Sequence, residues 1–133
     1  MPESPLLGKR LVMVGPAVIV DIAIETELRR VGARTVAACE SPEESIAIYQ
    51  TANPDLVLIG VTAANLPESI DAVQAIFTDP LACIVAILYS VDIEGERKLR
   101  DAGVTAVFKK PFTAPDLIAA LEETFRQFCH HGT

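Results

Sequence analysis

The sequence predicts an α/β domain built on a doubly wound parallel sheet. Short apolar runs rich in β-branched residues alternate with segments of helical spacing, and this alternation occurs five times along the 133 residues. Runs that are apolar at every position are typical of parallel strands, because such strands are buried on both faces. Five βα units in a row imply right-handed crossovers. We therefore expect one domain over residues 1–133, with its core at about residues 9–128.

The predicted strands are short and aliphatic, so the core that they form should be aliphatic as well. Half of the residues are hydrophobic, tryptophan is absent and aromatic residues make up only 5% of the chain. The predicted strands are Arg10–Val14, Arg34–Ala38, Asp55–Ile59, Ile84–Leu88 and Val104–Phe108.

The first two helices are predicted from an apolar stripe and from capping residues. The first helix follows the first strand, with Asp21, Glu25 and Arg29 outside its apolar stripe. The second opens with SPEE, in which Ser41 is the predicted N-cap and Glu44 closes a capping box. The stripe residues of the first helix, which we expect to face the core, are Ile19, Ile22, Ala23 and Val31.

The other three helices are predicted in the same way. One spans Pro67–Phe77, and the next spans Asp92–Ala102 and ends at Gly103. Thr113 caps the last helix, whereas Met1–Gly8 is expected to be a loose lead-in. The inward-facing residues are predicted to be Ile70, Val73, Ile76 and Phe77 in the first of these helices and Leu117, Leu121 and Phe125 in the last.

Charge and cysteine content limit the class of protein. The net charge of −7 argues against a nucleic acid or an anionic membrane as partner, because both require a basic surface. Cys39, Cys83 and Cys129 are odd in number and show no CxxC spacing, which favours reduced thiols in a cytosol.

Leu11–Val20 is too short for a membrane span. Adjacent residues at a fraying end rarely converge on one ion, so Cys129–His131 predicts no metal site. We predict a soluble cytoplasmic protein.

The chain contains three stretches with a specific resemblance to a known family: RLVMVGP at the first strand, PDLVLIGV at the third and AGVTAVFKKPF at the fifth. Together with the five βα units, they resemble the receiver domain of bacterial response regulators from about Lys9 to Phe128. The resemblance implies a flavodoxin-like (βα)5 fold with strand order 2-1-3-4-5. Receivers accept a phosphoryl group on an aspartate after the third strand, where an acidic pair holds Mg²⁺ and a hydroxyl and a lysine contact the phosphoryl oxygens.

The chain departs from this pattern at nearly every site position. The phosphoacceptor position is Gly60, and the acidic-pair positions are Gly15 and Pro16. The hydroxyl position, counted without gaps, is Leu88. Only Lys110–Pro111 is retained, and we assign it a structural role because the lysine has lost its phosphoryl partner. The sequence therefore predicts no catalytic residue, no cofactor, no metal and no enzymatic activity.

Other residues are weak substitutes for the missing groups. Asp55 lies at the wrong end of the third strand, and Asp21 is expected more than a turn into the first helix. Glu40 and Glu68 lie nearer the correct end but have ordinary solvent roles. Ser90 supplies a hydroxyl only if its loop is shifted. A receiver phosphorylated at a non-standard acceptor stays open as an alternative.

Two further interpretations concern the crevice itself. Gly60 alone is also typical of a residue that lets the chain turn out of a strand. The crevice beside Gly15, Gly60 and Tyr89 is also compatible with a small-molecule sensor, although the chain has no glycine-rich phosphate loop.

The predicted function is that of a stand-alone pseudo-receiver of two-component (phosphorelay) signalling. It would bind a histidine kinase, a phosphotransfer protein or another regulator without being phosphorylated. In receivers, the fourth helix, fifth strand and fifth helix form the surface used for partners and for homodimers. The candidates on that surface are Glu94, Arg97, Lys98, Arg100, Asp101 and Val107.

Overall fold

A five-stranded parallel sheet forms the centre of the molecule. The computed structural model describes residues 4–15, 21–79, 82–109 and 112–128. The strands pair in the order β2-β1-β3-β4-β5, and every pairing is parallel. This order confirms the predicted flavodoxin-like, doubly wound sheet. The strands are β1 (Arg10–Val14), β2 (Arg34–Cys39), β3 (Leu56–Thr62), β4 (Ile84–Tyr89) and β5 (Ala106–Lys109).

Five helices connect and cover the strands, and the predicted N-caps Ser41 and Thr113 are present. The Ser41 hydroxyl accepts a hydrogen bond from the Glu43 N–H at 3.2 Å, and the Thr113 hydroxyl accepts one from the Asp116 N–H at 3.1 Å. Gly103 ends the fourth helix with a φ of +124°, a backbone conformation that favours glycine. The helices are α1 (Ile22–Arg30), α2 (Pro42–Ala52), α3 (Leu66–Ile76), α4 (Ile93–Ala102) and α5 (Ala114–Phe128).

The sheet separates two aliphatic cores because successive side chains of each strand point to opposite faces. Met13 and Leu58 face the core that also contains Leu28 of α1 and Leu121 of α5. The opposite core lies against α3 and α4 and is built from the following buried strand residues: Val12, Val14, Val57, Ile59, Val61, Ile84, Ala86 and Leu88. In the described part of the chain, no helix has both the length and the apolar character of a bilayer span.

The predicted apolar stripe of the first helix was wrong at Ile22 and Ala23, whereas Val31 is half-buried and packs against the α1–α5 core as expected. Ile22 is 79% exposed, and Ala23 is exposed as well. The buried positions are instead Ile24 and Leu28. The reason is that Ile24, Leu28 and Val31 share one side of the helix at i, i+4 and i+7 spacing, and this side faces the core. Ile19 lies outside the described residues.

The N-terminal segment was also predicted incorrectly. Leu6 is 0% exposed and packs in the α1–α5 core, so the packed structure begins before residue 9. The Gly8 N–H donates to the Gly32 carbonyl at 2.9 Å, and the Ser4 hydroxyl donates to the Glu122 carboxylate on α5. Residues 4–8 therefore form an ordered segment, called the clasp below, which contacts the chain just after α1 and the C-terminal half of α5. It was missed because two adjacent leucines, Leu6 and Leu7, show no periodicity in so short a segment.

The cysteines differ from the expected set of reduced thiols. Cys39 is free and buried at the end of β2, and its thiol donates to the Ser41 carbonyl. Burial, together with the charge of Glu44, raises the pKa of Cys39 above its ordinary value, so the thiol is protonated near neutral pH. Cys83 is disulfide-bonded.

Phe77, predicted to face inward, is 46% exposed and covers Gly103.

Candidate functional site

The candidate site lies at the carboxyl ends of β1, β3 and β4, where parallel α/β sheets carry their functional crevices. Val14 pairs with Ile59, so Gly15 comes beside Gly60 one residue further along. Gly60 pairs in turn with Ile87 of β4. The structure therefore brings two predicted site positions together, and both are glycines. Pro16 and Lys110–Pro111 lie outside the described residues.

Gly15 occupies a position that resists any side chain. Its φ is +104°, a conformation that L-residues rarely adopt. Its N–H donates to the Cys39 carbonyl at 2.8 Å, which fixes the peptide against β2. A Cβ at this position would lie 3.0 Å from the carbonyl oxygen of Gly60. A carboxylate at residue 15 would therefore require both a strained backbone and a displaced β3.

Gly60 does not turn the chain out of its strand. β3 continues to Thr62, and the turn follows at residues 63–65. The simple interpretation of Gly60 as a turn residue was therefore wrong. Gly60 is buried within the sheet, between β1 and β4.

Asn65 organises the loop that follows β3, and sequence reasoning missed it. Its side-chain amide donates to the Gly60 carbonyl at 3.2 Å, while its oxygen accepts from the Thr62 N–H at 2.8 Å. The Ser69 hydroxyl donates to the same oxygen at 3.3 Å. The Thr62 hydroxyl accepts from the Asn65 N–H at 3.2 Å. These reciprocal hydrogen bonds fix the loop and hold the carbonyl that faces Gly15.

The Asp21 carboxylate and the Tyr89 hydroxyl are two polar groups near the carboxyl ends of the strands. Asp21 is the N-cap of α1, where its carboxylate accepts a hydrogen bond from the Ile24 N–H at 3.2 Å. The prediction that Asp21 lies more than a turn into the first helix was therefore wrong. Tyr89 ends β4, and its hydroxyl oxygen is shielded from solvent. Burial, and then the negative charge of Asp21, raise the pKa of Tyr89. The side chain is therefore a neutral phenol at physiological pH.

The hydroxyl position of receivers, counted without gaps, is occupied by Leu88, which has no hydroxyl. The nearest serine is Ser90. Leu88 pairs with Val61 and is buried in the α3–α4 core. Tyr89 follows it and packs on the opposite core. Ser90 is exposed and has a φ of +62°. The hydroxyls near the end of β4 are therefore the shielded phenol of Tyr89 and the exposed hydroxyl of Ser90.

The predicted partner face carries two groups of ion pairs. On the exposed side of α4, Arg97 pairs with Glu94 and, at 3.0 Å, with Asp101. The hydrogen bond and the charge of Arg97 lower the pKa of Glu94. The pairs lie within one helix and are open to solvent, so they contribute little to stability. Lys98 is exposed beside them.

The second group joins α4 to the edge strand β5. Glu96 accepts from Lys109 at 2.6 Å and from Arg100 at 3.0 Å. The Lys109 contact, followed by that of Arg100, lowers the pKa of Glu96. Beside this cluster lies an open groove of about 530 Å³ between α4, β5 and α5, with Val107 among the residues that line it. A second hollow of about 370 Å³ adjoins it at Ile93, which is 81% exposed.

No group of three potential metal ligands occurs among the described residues. Asp55 binds the Arg10 N–H at the amino end of β3, far from the crevice. Glu40 and Glu68 are exposed. The tail Cys129–His131 lies outside the described residues.

Comparison with known proteins identifies the fold. No protein-family model matches the chain. A CheY-like receiver domain from Methanospirillum hungatei superimposes with a TM-score of 0.79 over 93% of this chain and 98% of that one, at 19% identity. A LuxR-family response regulator from Aurantimonas is 25% identical, with a TM-score of 0.76 over 89% of this chain and 85% of that one. The chain therefore has the CheY-like receiver fold.

The sequence is also similar to a curated protein of Mycobacterium tuberculosis, the transcriptional regulatory protein PdtaR. The two are 27% identical over 120 residues, which cover 90% of this chain. The chain spans 58% of the length of that relative.

Proposed function

We propose that this domain is a pseudo-receiver of two-component signalling, which binds a protein partner without carrying an aspartyl phosphate. The observation that carries the proposal is the contact between Gly15 and Gly60. Phosphoryl transfer to a receiver requires a carboxylate nucleophile and a metal held by an acidic pair. Here the two neighbouring positions present backbone, and the φ of Gly15 disfavours any side chain.

Other carboxylates give little support for a substitute acceptor. The Asp21 carboxylate caps α1 and raises the pKa of Tyr89, so it is already engaged in the fold. Glu40 and Glu68 are exposed, without the desolvation and convergent donors that activate a nucleophile. A single-domain receiver with a non-standard acceptor is therefore the second candidate, and the small-molecule sensor gains no specific support.

The partner surface that we propose is the face formed by α4, β5 and α5. Its groove has Val107, Phe112 and Leu117 along the apolar side. The Glu96–Lys109–Arg100 cluster lies at the groove, and both of its cations bind the same carboxylate. An apolar groove with a charged rim resembles the anatomy of protein interfaces. The proposed occupant is a histidine kinase, a phosphotransfer protein, another regulator or a second copy of the chain.

A phosphoryl analogue tests the crevice. BeF3⁻ and Mg²⁺ are present in the CheX–CheY complex of Borrelia burgdorferi, which has the same fold. We expect the amide resonances of Gly15, Gly60 and Tyr89 to stay unchanged when both are added to this protein. A CheY of known activity serves as the control. Saturable shifts at those three amides would show an intact acceptor and overturn the proposal.

Paired variants test the surface with purified kinases and phosphotransfer proteins of the same organism. Val107→Glu places a charge in the groove, and Arg97→Glu changes the exposed side of α4 without disturbing the core. Ala47→Glu, on the exposed side of α2, is the matched control. We expect a loss of at least about tenfold in affinity for the two face variants only. Equal affinity for all three variants would exclude this face.

A further inference from the structure

We infer that a basic corner at the amino end of the sheet is a docking surface for an acidic segment of a partner protein. The corner lies where α1 ends and where β1 and β2 begin, next to the clasp. Residues 1–34 carry five cations and four carboxylates, whereas residues 35–133 carry six cations and fourteen carboxylates. An otherwise acidic chain therefore places nearly half of its cations at this corner. The residues of the basic corner are Leu7, Lys9, Arg10, Arg29, Arg30 and Arg34.

Arg34 is a cation that the fold itself does not use. It is exposed at the start of β2, and within the part of the chain that the structure describes its guanidinium makes neither an ion pair nor a hydrogen bond. Its neighbour in the β1–β2 register is Arg10, and like charges at opposite positions of neighbouring strands repel each other. Arg10 is engaged by the fold, since its guanidinium donates to the Asn53 carbonyl at 3.5 Å. Arg34 is therefore available to a carboxylate from another molecule.

Arg29 and Arg30 add cations that are only loosely held. Arg29 lies 3.4 Å from Glu25, and its side chain is 74% exposed. The same Glu25 carboxylate accepts a hydrogen bond from the Thr35 hydroxyl at 3.2 Å, so Arg29 shares its partner. Arg30 pairs with Glu27 at 2.8 Å, and its side chain is 63% exposed. Exposed pairs within one helix contribute little to stability, so either arginine can turn to a new carboxylate at small cost.

Leu7 supplies an apolar contact beside these charges. It is 47% exposed, although its neighbour Leu6 is fully buried. Its side chain lies on Gly32, in the turn between α1 and β2, because a Cβ at residue 32 would come within 2.4 Å of Leu7 Cδ1. Glycine at this position, with a φ of +86°, leaves the space that the leucine occupies. Since this turn follows Arg30 and precedes Arg34, cations flank the exposed leucine.

The chemistry of the basic corner fits a short acidic peptide that contains an apolar side chain. Its carboxylates would pair with the arginines, and its apolar side chain would cover Leu7. Lys9 extends the positive charge towards α5, where its ammonium lies 5.2 Å from the centre of the Phe125 ring. A nucleic acid or an anionic membrane fits less well, because either would also meet the fourteen carboxylates of residues 35–133. A phosphate chain would also offer Leu7 no apolar contact.

The basic corner is separate from the two places on which the proposed function rests. It lies at the amino ends of the strands, whereas the contact between Gly15 and Gly60 lies towards their carboxyl ends. Val107 and its groove belong to the face formed by α4, β5 and α5. The inference therefore does not depend on the proposed function.

Synthetic peptides test the basic corner by nuclear magnetic resonance of the full chain. The probe is a six-residue peptide in which two glutamates stand on either side of a leucine–phenylalanine pair. One control peptide has lysines in place of the glutamates, and the other has glycines in place of the apolar pair. We expect saturable shifts of the amides of Leu7, Gly32 and Arg34 with the probe only, and a lower affinity when the salt concentration is raised.

Two variants with the same change of charge separate docking from stability. Arg34→Glu should lower the affinity for the probe by at least about tenfold. Its Tm should stay the same or rise, because the repulsion of Arg10 ends. Lys98→Glu, on the exposed side of α4, is the matched control and should keep the affinity of the wild type. Leu7→Ser should also weaken binding, since the apolar contact is lost.

Several results would overturn the inference. These are an absence of shifts at the basic corner with the probe, equal affinities of Arg34→Glu and Lys98→Glu, and self-association of the chain through this corner. Larger shifts with a uridine oligonucleotide or with phosphatidylserine vesicles than with the probe would assign the corner to a phosphate-bearing partner instead. A lower Tm of Arg34→Glu with unchanged affinity would show that the arginine serves the fold.

Discussion

Gly15 is the residue whose replacement tests the geometry of the crevice. In Gly15→Ala, the new side chain would have a φ of +104° and a Cβ 3.0 Å from the Gly60 carbonyl oxygen. Strain of this kind costs about 1–3 kcal/mol, and a single contact at this distance adds about 1 kcal/mol, the low end of the cost of overpacking. The carbonyl has little room to move, since it lies in β3 and accepts from Asn65. We expect a loss of about 2–4 kcal/mol in the free energy of unfolding.

Gly8 provides a matched control for backbone strain. Its φ is +74°, and a Cβ there would meet nothing within 4 Å. Gly8→Ala should therefore cost only the conformational term, about 1–2 kcal/mol. The difference between the two variants isolates the contact with Gly60.

Urea denaturation followed by circular dichroism measures this difference. With an m-value of about 2 kcal/mol/M, Gly15→Ala should shift the midpoint downwards by about 1–2 M and Gly8→Ala by less than about 1 M. If Gly15→Ala is as stable as Gly8→Ala, the crevice has room for a side chain. The backbone would then not require glycine at position 15.

Three other predictions concern the clasp, the loop and the partner face. Leu6→Ala should lower the free energy of unfolding by about 2–5 kcal/mol in the same assay, whereas a loose N-terminal segment would leave it unchanged. Asn65→Ala should cost about 1–3 kcal/mol, because buried groups around Gly60 and Thr62 lose their partner; faster hydrogen exchange at Thr62 would locate the effect. The pKa of Glu96 is lowered in the folded protein, so its contribution is present above the ordinary carboxyl pKa and is lost as pH falls through the folded value. Glu96→Gln should make Tm less dependent on pH in the acid range. A Tm that falls with pH as it does in the wild type would contradict the assigned ion pairs.

The sheet could be predicted from the sequence because its strands are buried on both faces. Runs such as Leu56–Ile59 and Ile84–Leu88 are apolar at every position, and this pattern has few alternatives in a chain with five helical segments. Capping residues likewise fixed the helix starts at Ser41 and Thr113. Local chemistry was sufficient for these features.

The errors arose where a local pattern met a competing contact. In α1, the side that faces the core carries Ile24 and Leu28, whereas Ile22 is exposed. Leu6 is buried and its neighbour Leu7 is exposed, because the burial of Leu6 depends on contacts with the core of α1 and α5. The clasp has no periodic signal that the sequence could reveal.

The site was predicted only in part, because its geometry depends on contacts between distant segments. The sequence indicated that Gly15 and Gly60 replace functional side chains, but not that they touch each other. The role of Asn65 required the position of the Gly60 carbonyl.

The most direct test of the central claim is the intact mass of the protein after incubation with Mg²⁺ and acetyl phosphate, beside a receiver of known activity. We predict an unchanged mass for this protein and a gain of one phosphoryl group for the control, since Gly60 offers no nucleophile. A stable gain of one phosphoryl group on this protein would contradict the account, and peptide mapping would then identify the acceptor.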